Sequence, residues 1–265
     1  MVNEEHSMTV TQEIHAAEAN TPSNILDRLT LVLDAFDGHE SLGLTEIVSR
    51  TGLPRSSAHR MLDRLVRLRW LQRQGRSYSL GIRLVELGSL AVHQDRVHAA
   101  AREHLHHLYR ATGMVVHLAV LDGADVVYLD KIGGRLAAQV PTRIGGRLPA
   151  ARTALGKALL AYDNHTEPGG EVVRQLGYAV ERNGAPTGFG CIAAPIGEVG
   201  EARTAVSICG PLNKMSFDSR MTTPVQLTAA AIVRSLNAGR FVTPTLQRKN
   251  ILRSLPTAPS VLAEG

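Results

Sequence analysis

The residues with the clearest chemical potential are eight arginines between Arg50 and Arg76, a stretch that contains a single acid, Asp63. Guanidinium groups bind phosphate oxygens in a bidentate manner, so a local excess of arginine is typical of a phosphate-binding surface. A solvated basic helix face has the same composition, and the charge alone leaves both interpretations open. The formal net charge of +5 permits a polyanionic partner without requiring one.

The other nucleophilic and metal-binding residue types form no catalytic pattern. Cys191 and Cys209 make neither a CxxC pair nor a zinc spacing. Five histidines between His93 and His107 are interpreted as a solvated helix face, since metal sites usually add a carboxylate or cysteine from another segment. The sequence contains no GxSxG, HExxH or paired-carboxylate motif. We therefore expect no catalytic residue, no metal and no cofactor, and an enzyme acting on a small organic acid is kept as an alternative.

The composition indicates a globular chain in a reducing compartment. Its 265 residues, 44% of them hydrophobic and 20% charged, suffice for one or two domains with a sizeable core. No uninterrupted apolar run is long enough to span a bilayer, and the N-terminus lacks the charged-then-apolar order of a signal peptide. We expect a cytoplasmic protein without a membrane partner, with reduced cysteines and with disordered tails at residues 1–20 and 256–265.

Three helices are predicted to position the arginines. The apolar residues of "SNILDRLTLVLDAF" share one helical face, and Ser23 or Asn24 is a plausible N-cap. A short helix, "TEIVSRTG", follows with Thr45 as its N-cap and Gly52 as its stop. The third helix, "PRSSAHRMLDRLVRLR", directs an apolar stripe inward and its basic and polar residues outward. The inward stripe consists of Ala58, Met61, Leu62, Leu65 and Leu68.

Two helices joined by a tight turn, the second of them basic at its N-terminal end, are typical of a helix-turn-helix. The segment "WLQRQGRSYSL" then alternates apolar and polar residues around Gln74-Gly75, as a β-hairpin wing does. The third helix is therefore predicted to enter the major groove of double-stranded DNA, with the wing at the phosphates or the adjacent minor groove. The residues expected to contact DNA are Thr45, Arg55, Ser56, Ser57, His59, Arg60, Arg64, Arg73 and Arg76.

After the wing the pattern is first helical and then stranded. Helix is predicted from Ile82 to about Gly113, as a connector up to His93 and a longer segment after it, and the connector carries an apolar set that is a candidate subunit contact. "MVVHLAVL" and "DVVYLDKI" form a hairpin around Asp122-Gly123, and "GYAVE", "FGCIAAPI" and "ARTAVSIC" are further strands. With helices at the ends, these strands indicate an antiparallel sheet in an α+β ligand-binding domain. The apolar set on the connector is Leu84, Val85, Leu87 and Leu90.

Six blocks of sequence follow one another in a specific order: "LTEIVSRTGLPRSSAHRMLDRL", "SYSLGIRLVELG", "ATGMVVHLAVLDGADVVYLDKI", "RLPAARTALGKALLA", "GFGCIAAPI" and "AVSICGP". In that order and nearly that spacing, they resemble the IclR family of bacterial transcription regulators, from about Ile25 to Arg240. The resemblance implies a winged helix-turn-helix joined by a helix to a GAF-like effector-binding domain, in a homodimer or homotetramer. The implied boundaries are 21–81 for the DNA-binding domain, 82–95 for the connector helix and 96–255 for the effector-binding domain.

The resemblance also implies an effector site. The turn that opens the "TALGK" helix would offer backbone N–H groups to a ligand oxygen, and a helix N-terminus suits a carboxylate. Small organic or aromatic acids are the effectors that the family usually takes. By the same resemblance, the effector-binding residues are Thr153, Ala154, Leu155, Gly156, Glu181, Cys191, Ser207 and Cys209.

The chain departs from the family pattern at four places. Cys209 replaces a hydroxyl with a thiol, Asn183 stands where a glutamate is usual, and Ala151 stands where a histidine is frequent. The segment from Tyr162 to Leu176 is also shorter than its family counterpart. The resemblance implies an effector-responsive regulator of a catabolic or metabolic operon, more often a repressor than an activator. A DNA-binding regulator with a vestigial sensor domain is the alternative that these departures favour.

Overall fold

The computed structural model describes residues 24–163, 169–184 and 187–240. The chain divides between Asp95 and Arg96 into two compact units, the N-terminal unit and the C-terminal unit. The predicted tails at 1–20 and 256–265 lie outside the described residues. Within the described ranges, no helix combines the length and the apolar character needed to cross a membrane.

The N-terminal unit is built from helices around a small antiparallel sheet, whose strand order is β1-β3-β2. Two of the helices precede the β2–β3 hairpin closely in sequence, as a winged helix-turn-helix requires. The helices are α1 (Ile25–Asp34), α2 (Leu44–Thr51), α3 (Arg55–Arg67) and α4 (Ile82–Gln94), and the strands are β1 (Leu42–Gly43), β2 (Leu71–Gln74) and β3 (Ser77–Leu80).

The helix starts follow local hydrogen bonding. Asn24 begins α1, as predicted, because its side-chain oxygen accepts hydrogen bonds from two N–H groups of the first turn, at 2.6 and 3.2 Å. The prediction of Thr45 as the next N-cap is wrong. Helix α2 begins one residue before Thr45, and Gly43 is its N-cap. The Glu46 carboxylate accepts a hydrogen bond from the Gly43 N–H at 2.6 Å and so closes that end of the helix.

Helix α3 packs most of its predicted apolar stripe against the core of the N-terminal unit. Met61 is partly buried, whereas the Leu68 side chain is 45% exposed, so the inward position predicted for Leu68 is wrong. The helix has ended by then, and Arg69 adopts a positive φ of 64° that turns the chain toward β2. The fully buried members of the stripe are Ala58, Leu62 and Leu65.

The base of the β2–β3 hairpin is joined tightly to the end of α3. The Gly81 N–H donates a hydrogen bond to the Trp70 carbonyl at 2.7 Å. A Cβ atom at position 81 would lie 2.2 Å from the Arg69 carbonyl oxygen, a distance at which no side chain fits. Glycine is therefore required where the hairpin returns to the helix.

The C-terminal unit is an α+β domain with one antiparallel sheet, which confirms the predicted fold class. Its helices are α5 (Arg96–Thr112), α6 (Gly134–Ala137), α7 (Ala154–Tyr162), α8 (Gly170–Leu176) and α9 (Ser219–Arg240). Its strands are β4 (Val115–Asp122), β5 (Asp125–Ile132), β6 (Arg147–Pro149), β7 (Ala179–Arg182), β8 (Phe189–Ile196) and β9 (Thr204–Pro211), and short 3₁₀ turns cover Ala150–Arg152 and Leu212–Lys214.

The six strands lie in the order β6-β5-β4-β9-β8-β7, and every neighbouring pair is antiparallel. Because side chains alternate along a strand, the sheet has two distinct faces. One face packs against α5 and α9 through large aliphatic residues such as Leu118 and Ile208. The other face packs against α7 through small residues such as Ala193 and Ala205. Small side chains on this second face leave room beside the N-terminus of α7.

Candidate DNA interface and ligand pocket

Helix α3 and the wing present the predicted DNA contacts to solvent. Ser57 is partly buried, and the other eight predicted residues are exposed. Within the described part of the chain no side chain caps the N-terminus of α3, so its first N–H groups are available to an oxygen ligand. This combination of free helix donors and exposed arginines suits a polyanion.

The arginines of this region fall into two classes. Among the described residues, the side chains of Arg60, Arg64 and Arg76 make no hydrogen bond or ion pair. Arg69 instead bonds Glu86 at 2.9 Å. Arg73 donates from Nε to the Gly75 carbonyl at 2.9 Å, which shapes the wing turn. The unpaired class is the one that retains its full capacity for phosphate or base contacts.

Two other predicted contacts are engaged inside the N-terminal unit. Arg55 donates from Nη1 to Thr45 Oγ1 at 3.2 Å, a bond that joins α2 to the start of α3. His59 Nδ1 lies 3.2 Å from Asp63 Oδ2, one turn further along the same helix. These contacts orient the first turns of α3.

Part of α3 faces a groove rather than open solvent. The groove has a volume of about 580 Å³, and Ser57, Arg60 and Arg64 line it together with apolar side chains of α1 such as Ile25 and Leu26. Arg60 is nevertheless an exposed residue, so it remains accessible from solvent.

The C-terminal unit contains a small cavity between the sheet and the N-terminus of α7. Seven of the eight residues predicted for the effector site line it, and the eighth, Gly156, does not. Four residues that the sequence did not single out complete the wall: His117, Tyr128, Val140 and Thr142. The predicted residues in the lining are Thr153, Ala154, Leu155, Glu181, Cys191, Ser207 and Cys209.

Strand register explains how residues far apart in sequence meet at this cavity. Cys209 lies opposite Cys191 in the β8–β9 pair, and Cys191 lies opposite Glu181 in the β7–β8 pair. His117 lies opposite Ser207 in the β4–β9 pair. These residues form two adjacent rows on the face of the sheet that packs against α7.

The N-terminus of α7 closes the cavity on the side opposite the sheet. Thr153 is its N-cap, and its Oγ1 accepts a hydrogen bond from the Gly156 N–H at 2.9 Å. The N–H groups of Ala154 and Leu155 precede the first intrahelical bond and are available to a ligand. Gly156 has a packing role instead, because a Cβ atom there would lie 2.1 Å from the Ala150 carbonyl oxygen.

Glu181 is paired with Lys157, a cation that is not among the predicted site residues. Lys157 Nζ lies 2.5 Å from Glu181 Oε2, and the two side chains are 41% and 16% exposed, respectively. The pair cancels the formal charge of the one carboxylate in the cavity lining. The sequence offered a signal, since Lys157 lies one turn into the helix that bears the predicted ligand-binding N–H groups.

His117 is an uncharged member of the lining. Burial, together with the positive charge of Lys131, lowers the pKa of His117 to about 3. Its Nε2 is 2.8 Å from Thr142 Oγ1, and its ring packs edge-on against Tyr128 with centroids 5.1 Å apart. Burial also raises the pKa of the Tyr128 phenol. Both rings therefore offer neutral hydrogen-bonding groups.

Residues 133–146 form the segment that covers the cavity, and Lys131 holds this segment by hydrogen bonds. Its Nζ donates hydrogen bonds to the carbonyls of Val140 at 2.7 Å and Thr142 at 2.5 Å. The covered cavity has a volume of only about 20 Å³, room for about one water molecule.

Two positions that depart from the family pattern have local roles. Asn183 adopts a positive φ of 58°, and its Oδ1 accepts a hydrogen bond from the Gly188 N–H at 2.8 Å, which fits it to the turn after β7. Ala151 is exposed and does not line the cavity. Both departures therefore lie outside the wall of the cavity.

Models of two protein families match the chain. The IclR helix-turn-helix domain matches residues 25–75, and the bacterial transcriptional regulator IclR C-terminal domain matches residues 89–168. The first match covers α1 to the wing turn, and the second covers the end of α4, then α5, the β4–β5 hairpin and α7.

Whole-chain comparisons agree with these matches. The HTH-type transcriptional regulator XynR of Escherichia coli (strain K12) is 31% identical over 64% of this chain and 79% of its own length. The glycerol operon regulatory protein of Streptomyces coelicolor is 29% identical over 82% of this chain and 97% of its own. An IclR homologue from Microbacterium hydrocarbonoxydans, solved in complex with 4-hydroxybenzoate, has a TM-score of 0.68 and 27% identity, and the match covers 81% of this chain and all of that one. The chain is an effector-responsive transcriptional regulator that belongs to the IclR family.

Proposed function

We propose that this regulator is a repressor that binds operator DNA through α3 and the wing and releases it when a small carboxylic acid enters the cavity beside α7. The observation that carries the proposal is the cavity itself, where the free N–H groups of a helix N-terminus face a wall without net formal charge. A helix N-terminus stabilises a carboxylate, and a neutral wall does not repel it.

The DNA-binding role is assigned to the nine exposed or partly exposed residues of α2, α3 and the wing. Arg60 is placed at a base edge because it lies in the first turns of α3 and has no partner among the described residues. Arg76 is placed at a phosphate because it lies at the tip of the wing. Thr45 and Arg55 act as a hydrogen-bonded pair that fixes the orientation in which α3 enters the major groove of DNA.

Specific recognition of operator DNA by α3 requires at least a dimer. One recognition helix covers only a few base pairs, so we infer two copies on an inverted repeat whose half-site centres lie about 34 Å apart or a multiple of that. Helix α4 supports a subunit contact, because none of its residues is buried in the part of the chain that the structure describes. It exposes Val85 and Leu90 of the predicted apolar set, together with Ile82. Light scattering combined with footprinting on operator fragments tests this inference. A monomer bound tightly to a single half-site would contradict it.

The ligand class follows from the polar groups of the cavity. A carboxylate at the N–H groups of Ala154 and Leu155 would place the rest of the ligand toward Glu181 and Ser207 on the sheet. Because Glu181 accepts hydrogen bonds, a hydroxyl or amine at the far end of the ligand is favoured over a second carboxylate. The 4-hydroxybenzoate in the Microbacterium relative has this arrangement of groups, which supports a hydroxylated acid for this chain.

The cavity must enlarge to admit such a ligand. Its volume of about 20 Å³ is far below that of an organic acid. The movable wall is the part of this segment around Val140 and Thr142. Three side-chain hydrogen bonds to Lys131 and His117 hold it in place, whereas Gly145 and Gly146 are bonded to the backbone of Tyr128. We propose that ligand entry displaces this segment.

Calorimetry with matched ligands tests the proposal. We expect 4-hydroxybenzoate to bind more tightly than benzoate, and both to bind more tightly than the neutral 4-hydroxybenzamide, which lacks the charge for the helix N-terminus. The acid that binds should release the protein from its operator in a mobility-shift assay. Failure of every acid to bind would favour a vestigial sensor, and turnover of an acid by the purified protein would favour an enzyme.

A further inference from the structure

Cys191 and Cys209 are the two cysteines of the chain, both are free thiols, and both line the cavity. They are direct register partners on the adjacent antiparallel strands β8 and β9. In the proposed ligand site the two cysteines only line the cavity and take part in no reaction. Two facing thiols in one cavity are capable of chemistry that a single thiol is not.

The register brings the two side chains close to disulfide geometry. Directly opposite residues of an antiparallel pair have Cβ atoms about 4.5–5.5 Å apart, whereas a disulfide needs about 3.5–4.5 Å. A shift of about 1 Å in one strand would therefore bring the two Cβ atoms to the separation that a disulfide needs. The neighbouring Cys209 thiol, together with burial, raises the pKa of Cys191.

The small volume of the ligand-free cavity limits which oxidant can reach the thiols. Its volume of about 20 Å³ admits one water-sized molecule, and hydrogen peroxide is only slightly larger than water. Cys209 is 1% exposed, so a bulky thiol reagent does not reach it in the folded protein.

The surroundings distinguish the two thiols. Lys131 lies close enough to Cys209 for an electrostatic interaction, and a nearby cation stabilises the negative charge carried by an attacking sulfur. Cys191 interacts instead with the negatively charged Glu181, and its raised pKa keeps it in the thiol form. Cys209 is thus the first nucleophile, and Cys191, its direct register partner, is the thiol placed to resolve the sulfenic acid.

We propose that Cys191 and Cys209 are a redox-sensitive pair that hydrogen peroxide converts into an intramolecular disulfide on the floor of the cavity. The Cys209 thiolate attacks one peroxide oxygen, the O–O bond breaks, and hydroxide leaves and takes up a proton as water. Cys191 then attacks the sulfenic sulfur, the S–O bond breaks, and the Cys191 proton leaves with the hydroxyl as a second water. Two thiols lose two electrons, and one peroxide gains them.

The disulfide would alter the ligand site. It would remove both S–H groups from the row that ends at Glu181 and would tie β8 to β9 at that position. A ligand lying against the sheet would then meet a bridged, less adaptable floor. Peroxide and the acid effector would in this way act on the same sensor.

The test uses the full-length reduced protein and hydrogen peroxide. After the reaction is quenched, free thiols are counted under denaturing conditions with 4,4′-dithiodipyridine, and the intact mass is measured. We expect both thiols to disappear together, with the loss of two hydrogens from a monomer and full recovery with dithiothreitol. Unchanged thiols, covalent dimers or accumulating sulfinic acid would each overturn the proposal. This readout needs no effector, so it is independent of the proposed function.

Single-cysteine variants test the order of attack. In Cys191→Ser, Cys209 should stop at a sulfenic acid, which dimedone traps when it is added with denaturant after the peroxide has been removed. In Cys209→Ser, Cys191 should react much more slowly with peroxide. Equal reactivity of the two variants, or the reverse order, would overturn the assignment of Cys209 as the nucleophile. Circular dichroism of both variants verifies that they fold. If one variant does not fold, the thiol count of the wild-type protein still tests whether the disulfide forms.

Discussion

The two units of this regulator treat charge in opposite ways. The N-terminal unit exposes arginines, several of which have no partner among the described residues. The cavity of the C-terminal unit pairs its carboxylate with Lys157 and keeps His117 uncharged through burial. Exposed charge acts over long distances and attracts a polyanion to a surface. A neutral wall discriminates at short range, through hydrogen bonds and shape. A change of one charge should therefore have different consequences in the two units.

The largest expected effect concerns the stability of the C-terminal unit at low pH. The pKa of His117 is about 3 in the folded protein and about 6.5 when unfolded, so the unfolded state binds the proton first as the pH falls. The contribution of neutral His117 to the free energy of unfolding is fully present above pH 6.5 and is lost as the pH falls from 6.5 to 3. Over that range the free energy of unfolding decreases by at most about 5 kcal/mol on account of this residue.

Urea unfolding of wild type and His117→Gln across this pH range measures that contribution. Glutamine retains a hydrogen-bonding group for Thr142 but does not titrate. The free energy of unfolding should therefore fall less steeply in the variant, and the difference between the two proteins isolates the histidine from the carboxylates. Parallel curves would show that His117 is not buried as a neutral ring.

The next effect concerns DNA readout. Arg60→Ala should weaken operator binding by about 1–3 kcal/mol and relax specificity at one base pair, because a bidentate contact to guanine is lost. Arg69→Ala is the matched control, since Arg69 is already paired with Glu86. Fluorescence anisotropy on operator and single-base variants measures both proteins. Equal losses in the two variants would contradict the division of the arginines into paired and unpaired classes.

A smaller effect is expected from the charge pair in the cavity. Lys157→Met leaves Glu181 without its cation and should weaken benzoate binding by about tenfold, whereas Glu181→Gln leaves Lys157 unpaired and should strengthen it. Glu181→Gln should also reduce the preference for 4-hydroxybenzoate over benzoate. Calorimetry measures all three proteins, and the double variant, again neutral, should bind benzoate nearly as wild type does. Changes of the same sign in both single variants would refute the charge argument.

The smallest effect lies in the wing. Arg76→Ala should weaken binding to all sequences alike and should reduce the slope of log affinity against log salt by about one, since one phosphate contact is lost. Salt titrations of operator and unrelated DNA measure the slope. A loss confined to the operator would instead mean that Arg76 reads bases.

Local patterns in the sequence predicted the order of helices and strands because periodicity and capping depend on neighbouring residues. The Asn24 cap, the hairpin around Gly75 and the α+β class were all foreseen in this way. The errors lie at element ends, where a single residue decides. Gly43 rather than Thr45 caps α2, and Leu68 leaves the core because the helix stops before it.

The composition of the cavity was only partly predictable. The family resemblance supplied seven lining residues, but His117 belongs to the site only because β4 pairs with β9 in one register. The Lys157–Glu181 pair joins residues on α7 and β7, and its existence depends on how α7 packs on the sheet. Sequence spacing does not report long-range register or packing distance. The pairing of Lys157 with Glu181 and the place of His117 in the site therefore became visible only in three dimensions, although the position of Lys157 near the start of α7 was a signal in the sequence.

The tight base of the wing has an entropic consequence for DNA binding. Gly81 packs against the Arg69 carbonyl without room for a side chain, so the hairpin and the end of α3 keep one mutual orientation. A binding surface that is rigid before docking loses little conformational freedom when it docks, and preorganisation of this kind raises affinity without adding a contact. Gly81→Ala would loosen that geometry, and the entropy of association would become less favourable even if each arginine still reached its phosphate or base.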